Sequence, residues 1–421
     1  MRRRLALLAL AIPCALAAPR LGADPPSAPG PPRPAPAAPT NSPAKVAAPT
    51  RFVGPRSGPE RAKALTRFGG GETSERAVEA ALDWLARHED GRGGWDADGF
   101  PARCDPKGPK CAGIGKGQHG EEVPCPFDGA ISALATLAFL GAGHGPWVAG
   151  DRHGALVERA LDRLRGARDT WALPLATQAF AEAEALEGKG RFLEPVREGV
   201  ARMLGARGAD GAWGYASGFR PGSDVPYAAL VVPALVTARD VGVELPATLG
   251  TEVDAWLTSL EIDDGRLAYL KDGRAYGYTP TTANGLCAAA IREWLGVGRA
   301  GARHRAHLAL ANKDRPDWTI SFKEIVVPGQ GKVRVQVGHL SLYEWWYGTM
   351  ATFQAGGDAY AGWFGRLRGA LIPHQGTAGC ARGSWDPLGM YERQTGGRVF
   401  ATALCALMLE TPYRHRRLSE K

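Results

Sequence analysis

Two kinds of apolar pattern alternate along the chain. Runs that are apolar on nearly every side begin near Phe127, Trp171, Asp224, Thr281, Tyr343 and Gly397, and runs with a single apolar stripe begin near Thr73, Asp151, Leu193, Ala247, Ala300 and Asp358. A helix without a polar face must be surrounded, whereas one with a single stripe can lie outside, so the alternation predicts two concentric layers. The first striped run shows the spacing: Ala77, Ala80, Ala81, Trp84 and Leu85 recur at helical intervals after Thr73-Ser74-Glu75-Arg76, whose side chains suit a helix start. The pairs recur every roughly 44 to 60 residues, as helical-pair repeats do. Six such pairs in a ring close on themselves, so no repeat needs a polar cap, and the inner helices would line a central funnel.

One turn recurs between striped and apolar runs. It reads Asp90-Gly91-Arg92-Gly93-Gly94-Trp95-Asp96, then Asp210-Gly211-Ala212-Trp213-Gly214, then Gly383-Ser384-Trp385-Asp386-Pro387. Two stretches break the repeat. Phe100 to Pro126 is a loop rich in Gly, Pro and Cys, and Thr319 to His339 alternates like two strands around Pro328-Gly329-Gln330-Gly331, which predicts a β-hairpin. Insertions of this length in a compact domain usually form lids or decorate a rim.

Charge changes the picture once it is divided along the chain. The total is +8, of which residues 1–23 carry +4 and residues 24–67 carry +5, leaving −1 for the rest. A general nucleic-acid-binding surface is thereby disfavoured, because such binding rests on neutralising many phosphates. Residues 1–23 have the parts of an export signal: Met1-Arg2-Arg3-Arg4, an apolar run from Leu5 to Ala18 broken by Pro13, and small residues at Ala17 and Ala23. Cys14 follows proline, a poor match to a lipid-attachment site. Residues 24–67 are rich in Pro and Ala and read as a disordered tether, which leaves 68–421 as the folded domain. The expected location is periplasmic or secreted, with no transmembrane span after signal cleavage. In an oxidising compartment the loop cysteines Cys104, Cys111, Cys125 and Cys380 are disulfide candidates, with Cys104–Cys111 the expected local bridge. A metal held by Cys104 and Cys111 with His119 and Cys125 matches no common zinc spacing, so neither metal nor cofactor is expected. Cys287 and Cys405 lie in apolar helical runs and read as buried free thiols.

Gly-Gly-Trp-Asp at 93–96, Gly-Ala-Trp-Gly at 211–214, Gly-Ser-Trp-Asp-Pro at 383–387, Tyr347-Gly348-Thr349 and Gly396-Gly397-Arg398-Val399-Phe400-Ala401-Thr402-Ala403-Leu404 together resemble the prenyltransferase and squalene oxidase repeat family. That family contains squalene-hopene cyclases and the β-subunits of protein prenyltransferases. The likeness is closest to its exported bacterial members and covers roughly Thr73 to Arg414. It implies an all-α (α/α)6 toroid. The family's catalytic groups do not carry over. The nearest approach to the cyclases' Asp-x-Asp-Asp run is Asp96-Ala97-Asp98-Gly99, which lacks the last acid, and Asp263-Asp264-Gly265 reads as another turn. The stretches His339–Tyr347 and Gly397–Thr402, which correspond to the zinc ligands of the prenyltransferases, contain no Asp, Cys or His beyond His339 itself.

Site candidates therefore come from the N-terminal ends of the inner helices: Asp128, Asp224, Tyr227, Thr282, Tyr343, Glu344, Trp345, Tyr347 and Arg398. Asp128 and Asp224 either cap their helices or face the cavity, and the aromatics either fill the core or line it. Arg398 and Glu344 each open a nearly apolar helix, which predicts that they pair. Three readings stand together: an isoprenoid-acting enzyme of the cyclase type, a module binding a hydrophobic molecule or an envelope protein, and a structural toroid with a filled centre.

Overall fold

The computed structural model describes residues 52–419 apart from 116–124, 126, 168, 215–221, 264, 269–281, 300, 314, 320–321, 328–330 and 337–340. In chain order the helices are α1 (Gly58–Arg67), α2 (Glu72–Arg87), α3 (Asp128–Gly141), α4 (Gly154–Leu164), α5 (Ala172–Glu187), α6 (Leu193–Gly205), α7 (Val225–Asp240) and α8 (Leu249–Leu260). A two-stranded turn, β1 (Glu261–Asp263) and β2 (Arg266–Leu267), leads to α9 (Thr282–Leu295) and α10 (Ala302–Lys313). The hairpin β3 (Phe322–Val327) and β4 (Gly331–Gln336) precedes α11 (Leu342–Ala355), α12 (Gly357–Leu371), α13 (Met390–Thr395), α14 (Gly397–Leu409) and α15 (Thr411–Arg414).

Six of these helices close a ring: α3 packs on α5, α5 on α7, α7 on α9, α9 on α11, α11 on α14, and α14 back on α3. Around them lie α2, α4, α6, α8, α10 and α12, so the chain forms an (α/α)6 toroid, with the alternation of apolar and striped runs setting the two layers. The inner helices are closed on all sides. Every residue of α14 is buried, as is the run from Val225 to Ala238 on α7 and from Ala130 to Gly141 on α3. Side chains that line a cavity keep accessible surface, and these have almost none. Among the described residues the expected central funnel is therefore a filled core.

The recurring turn works as a latch. The indole N–H of Trp95 donates to the Leu85 carbonyl at 2.8 Å, that of Trp213 to Met203 at 2.7 Å and that of Trp385 to Leu371 at 2.8 Å. Each tryptophan thus donates to a carbonyl in the last turn of the outer helix before it, where regular intrahelical donors run out. Two glycines explain the motif's first position. Gly93 and Gly383 have φ of +86° and +96°, and a Cβ would lie 2.3 Å from the Arg159 carbonyl oxygen on α4 and 2.0 Å from that of Ala80 on α2. Each turn therefore docks on the next outer helix, and the last one docks on the first. The turn at Asp263–Arg266 repeats the device without tryptophan, with Gly265 against Ala306 and His307 of α10.

The hairpin expected at 319–339 is present, antiparallel, with Ile325 opposite Val333. The expected tether boundary is corrected. Residues 52–67 belong to the fold: Phe52 is buried against Trp294 and His415, the amides of Phe52 and Val53 donate to the Asp240 carboxylate at the end of α7, and α1 packs on α15. Arg56 from this segment donates to Glu182 of α5 at 2.8 Å, and Glu182 also receives Arg414 at 2.8 Å, with all three side chains almost fully buried. The N-terminal segment thus plugs the end of the ring at the C-termini of the inner helices. No helix among the described residues is long and apolar enough to cross a membrane.

Candidate functional site

The end of the ring opposite this plug, its mouth, is framed by the N-termini of the inner helices. Helix dipoles make such ends favourable to negative charge, and acidic residues collect there. Asp128 is the first residue of α3, and its carboxylate accepts the Ala97 amide at 2.9 Å. Asp96 accepts the amides of Asp98 and Gly99, and Asp98 accepts that of Cys125 at 3.0 Å. The Asp96 carboxyl lies close enough to perturb the other two. Partial burial, then the charges of Asp96 and Asp98, raise Asp128 to about 6, and burial followed by a contact with Asp96 raises Asp98. The structure thus makes the Asp96-Ala97-Asp98 turn the neighbour of Asp128 on the rim.

Asp224 is a helix cap. Its carboxylate accepts the Tyr227 amide at 2.8 Å, so it caps α7. Tyr227 is buried and donates its hydroxyl to the Thr170 carbonyl at 2.9 Å. The hydroxyls of Tyr343 and Tyr347 stand 2.9 Å apart, and both reach the Pro226 carbonyl, at 3.2 and 3.3 Å. Tyr343, Trp346 and Tyr347 form one aromatic wall, with ring centroids 4.7 to 6.5 Å apart. Glu344 is half-buried on the next face of α11, and burial, then the charges of Asp224 and Glu344, push the Cys287 thiol well up. Thr282 opens α9, and its side chain lies outside the described residues.

Three expectations are corrected. Trp345 does not belong to this wall. It faces outward against Trp318, which stacks on His374, and Trp346 takes the place assigned to it. Tyr343, Trp346 and Tyr347 are the residues at i, i+3 and i+4, a spacing visible in the sequence. Second, Arg398 does not pair with Glu344. Its guanidinium folds back onto the preceding turn, donating to the Ala112 carbonyl at 2.7 Å, to the Ser384 hydroxyl at 2.9 Å and to Asp386, while its amide donates to Gly113. Third, Cys104–Cys111 is not bridged. Cys104, Cys111 and Cys380 are separate thiols gathered around His88, whereas Cys125 lies apart and donates to the Thr395 carbonyl at 2.7 Å. These four gathered residues are the ones in the described chain able to hold a metal. His119 lies outside the described residues.

Glu392 of α13 was not anticipated. It is fully buried, accepts the first amide of α11 from Leu342 at 2.6 Å, and is raised to about 7 by burial. Its place in a short polar run, Met390–Thr395, gives no periodic signal.

No family model matches this sequence, and no curated protein matches it by sequence. Solved structures share the fold. An inactive variant of the α-1,6-mannanase of Salegentibacter sp., in complex with α-1,6-mannotriose, superposes with a TM-score of 0.53 at 9% identity, covering 82% of this chain and 99% of that one. An α-amylase from Clostridium perfringens gives 0.50 at 10% identity, covering 80% of this chain and 98% of the amylase. The type II terpene cyclase MstE from Scytonema, in complex with geranylgeranyl dihydroxybenzoate, gives 0.48 at 12% identity, covering 81% and 97%.

Proposed function

We propose that this protein is an exported binding module that holds an amphiphilic, isoprenoid-like molecule at the mouth of the toroid and does not cyclise it. The observation behind this reading is the closed packing of α3, α7, α11 and α14, which leaves no room to enclose a folded polyene. Cyclisation by protonation also needs an acid in a desolvated pocket, and the acids at the mouth are tied to neighbouring amides. What the mouth supplies is the edge of an aromatic cluster, Tyr343 and Trp346 packed on the fully buried Tyr347, whose two outer rings keep 8% and 5% of their surface exposed for apolar atoms to rest on. Glu344 on the next face of the same helix, and Asp128 at the start of α3, offer acceptor groups for a hydroxyl or other polar end. Mass spectrometry of lipid extracted from natively purified protein tests this, together with binding of a long-chain polyprenol to Trp346→Ala. Recovered isoprenoid and weakened binding are expected. A lipid-free protein with no affinity for the polyprenol would refute it.

A second reading rests on the three carboxyl groups Asp96, Asp98 and Asp128. An acid raised by burial beside further carboxyl groups is the arrangement that glycoside hydrolysis uses. On that reading the substrate is a glycan, and α-1,6-mannan and starch, suggested by the fold relatives, are the first to try. Release of reducing ends that disappears in Asp128→Asn would favour it.

A further inference from the structure

His88 ends α2, Cys104 and Cys111 follow the first tryptophan turn, and Cys380 precedes the last. The His88 Nε2 atom lies 3.5 Å from Cys104 Sγ, 3.8 Å from Cys111 Sγ and 3.3 Å from Cys380 Sγ, and the four atoms all lie within 4.8 Å of one another. A tetrahedral ion bound to sulfur at about 2.3 Å and to imidazole nitrogen at about 2.0–2.1 Å sets neighbouring S and N atoms about 3.6 Å apart. The observed spread brackets that value. Three sulfurs arranged around one nitrogen also cannot satisfy themselves as disulfides, since one is always left over.

The imidazole is prepared for a ligand. Its Nδ1 stands 2.8 Å from the Trp84 carbonyl, so this nitrogen carries the proton and Nε2 presents its lone pair to the sulfurs. Trp84 stacks on the ring at 4.2 Å and Phe100 meets it edge-on, which fixes its orientation and excludes water. The Cys111 amide donates to Cys104 Sγ at 3.3 Å, as an amide does toward a thiolate. His88, Cys104 and Cys111 are buried and Cys380 is half-buried.

We propose that His88, Cys104, Cys111 and Cys380 bind one zinc ion in a closed site that fastens the last repeat of the ring to the first. One nitrogen and three sulfurs in a tetrahedron suit zinc, and four protein ligands leave no open position for catalysis. Binding releases the three thiol protons and changes no oxidation state. The site lies on the seam of the ring, where Gln375 already donates to the Ala77 carbonyl and Arg87 to that of Arg382, both at 2.8 Å. It also steadies the mouth. Cys111 is followed by Ala112 and Gly113, whose carbonyls receive Arg398, so the ion anchors the strip of chain that holds this arginine.

The test is elemental analysis of the full chain, purified without chelator and supplied with zinc. One equivalent per chain is expected. Cys380→Ser and His88→Ala should each lose most of it, while Cys125→Ser, in the same loop but outside the cluster, keeps it. A ligand variant that fails to fold would also lose zinc, so cobalt exchange into the unsubstituted protein supplies an independent readout: intense visible bands with sulfur-to-cobalt charge transfer. Zinc-free folded protein, a Cys104–Cys111 disulfide in unreduced peptides, or the weak cobalt spectrum of an octahedral oxygen site would each overturn the proposal.

Discussion

The two ends of the toroid are built by opposite means. At the closed end Glu182 stands between Arg56 and Arg414, three buried charges brought from residues far apart in the chain, with Glu410 buried beside them. At the mouth the acids are satisfied by backbone amides, Asp128 by Ala97, Asp224 by Tyr227, Asp96 by Asp98 and Gly99. A charge paired inside a core is costly to orphan, whereas one bonded to an adjacent amide near solvent can be exchanged cheaply. The difference teaches where the fold tolerates change: the closed end carries cooperativity, and the mouth is where a binding surface can vary.

The sharpest way to break this contrast is at Arg56. Arg56→Ala should cost about 3–5 kcal/mol in chemical denaturation, because Glu182 is left with an unmatched share of buried charge. A loss below 1 kcal/mol would mean that the plug is ornamental. Next is Gly383→Ala, which places a side chain in a left-handed conformation against the Ala80 carbonyl, and a loss of about 1–3 kcal/mol is expected. Gly211→Ala should cost less, since the nearest atom to its added Cβ is 3.5 Å away. Such a ranking would show that the mouth side is held by backbone docking rather than by charge.

A pH series separates the ends further. Burial raises Glu410 to about 8, with Arg414 and Arg56 opposing the shift. The folded protein then holds a proton that the unfolded chain has released, so stability falls as pH rises from the ordinary carboxylate range toward 8. Glu410→Gln should flatten that slope in melts taken between pH 5.5 and pH 8. The smallest effect is expected of Asp128→Asn. The amide oxygen can still accept the Ala97 N–H, so stability should move by about 0.5 kcal/mol or less while the rim charge falls. A large loss there would erase the distinction between the two ends.

The layering was readable from the sequence because it depends on period alone. Phe127, Tyr343 and Gly397, where the pattern turns apolar, lie within a residue of the observed helix starts, and the three Gly-x-Trp turns mark junctions between the layers. What escaped depends on direction and distance. Consecutive helical residues point about 100° apart, so choosing Trp345 over Trp346 exchanged an outward ring for one at the mouth. Arg398 does open an apolar helix, but its side chain is long enough to turn back to Asp386 and Ala112. The gathering of Cys380 with His88 spans 292 residues, which no local motif encodes. Phe52 and Arg56 sit in a stretch whose proline content reads as tether, though two well-placed side chains are enough to dock it.

The contact of Gly383 with Ala80 has a consequence for biosynthesis. The flank of α2 that receives this turn is made early and covered only when the last repeat emerges, so a nascent chain carries an unpaired apolar edge through most of its translation. Ring closure of this kind is a late, non-local event, slow and exposed to aggregation compared with the hairpin pairing inside each repeat. A premature stop before residue 383 would leave two sticky edges rather than one shortened protein, and the cell would meet it as a substrate for chaperones and proteases.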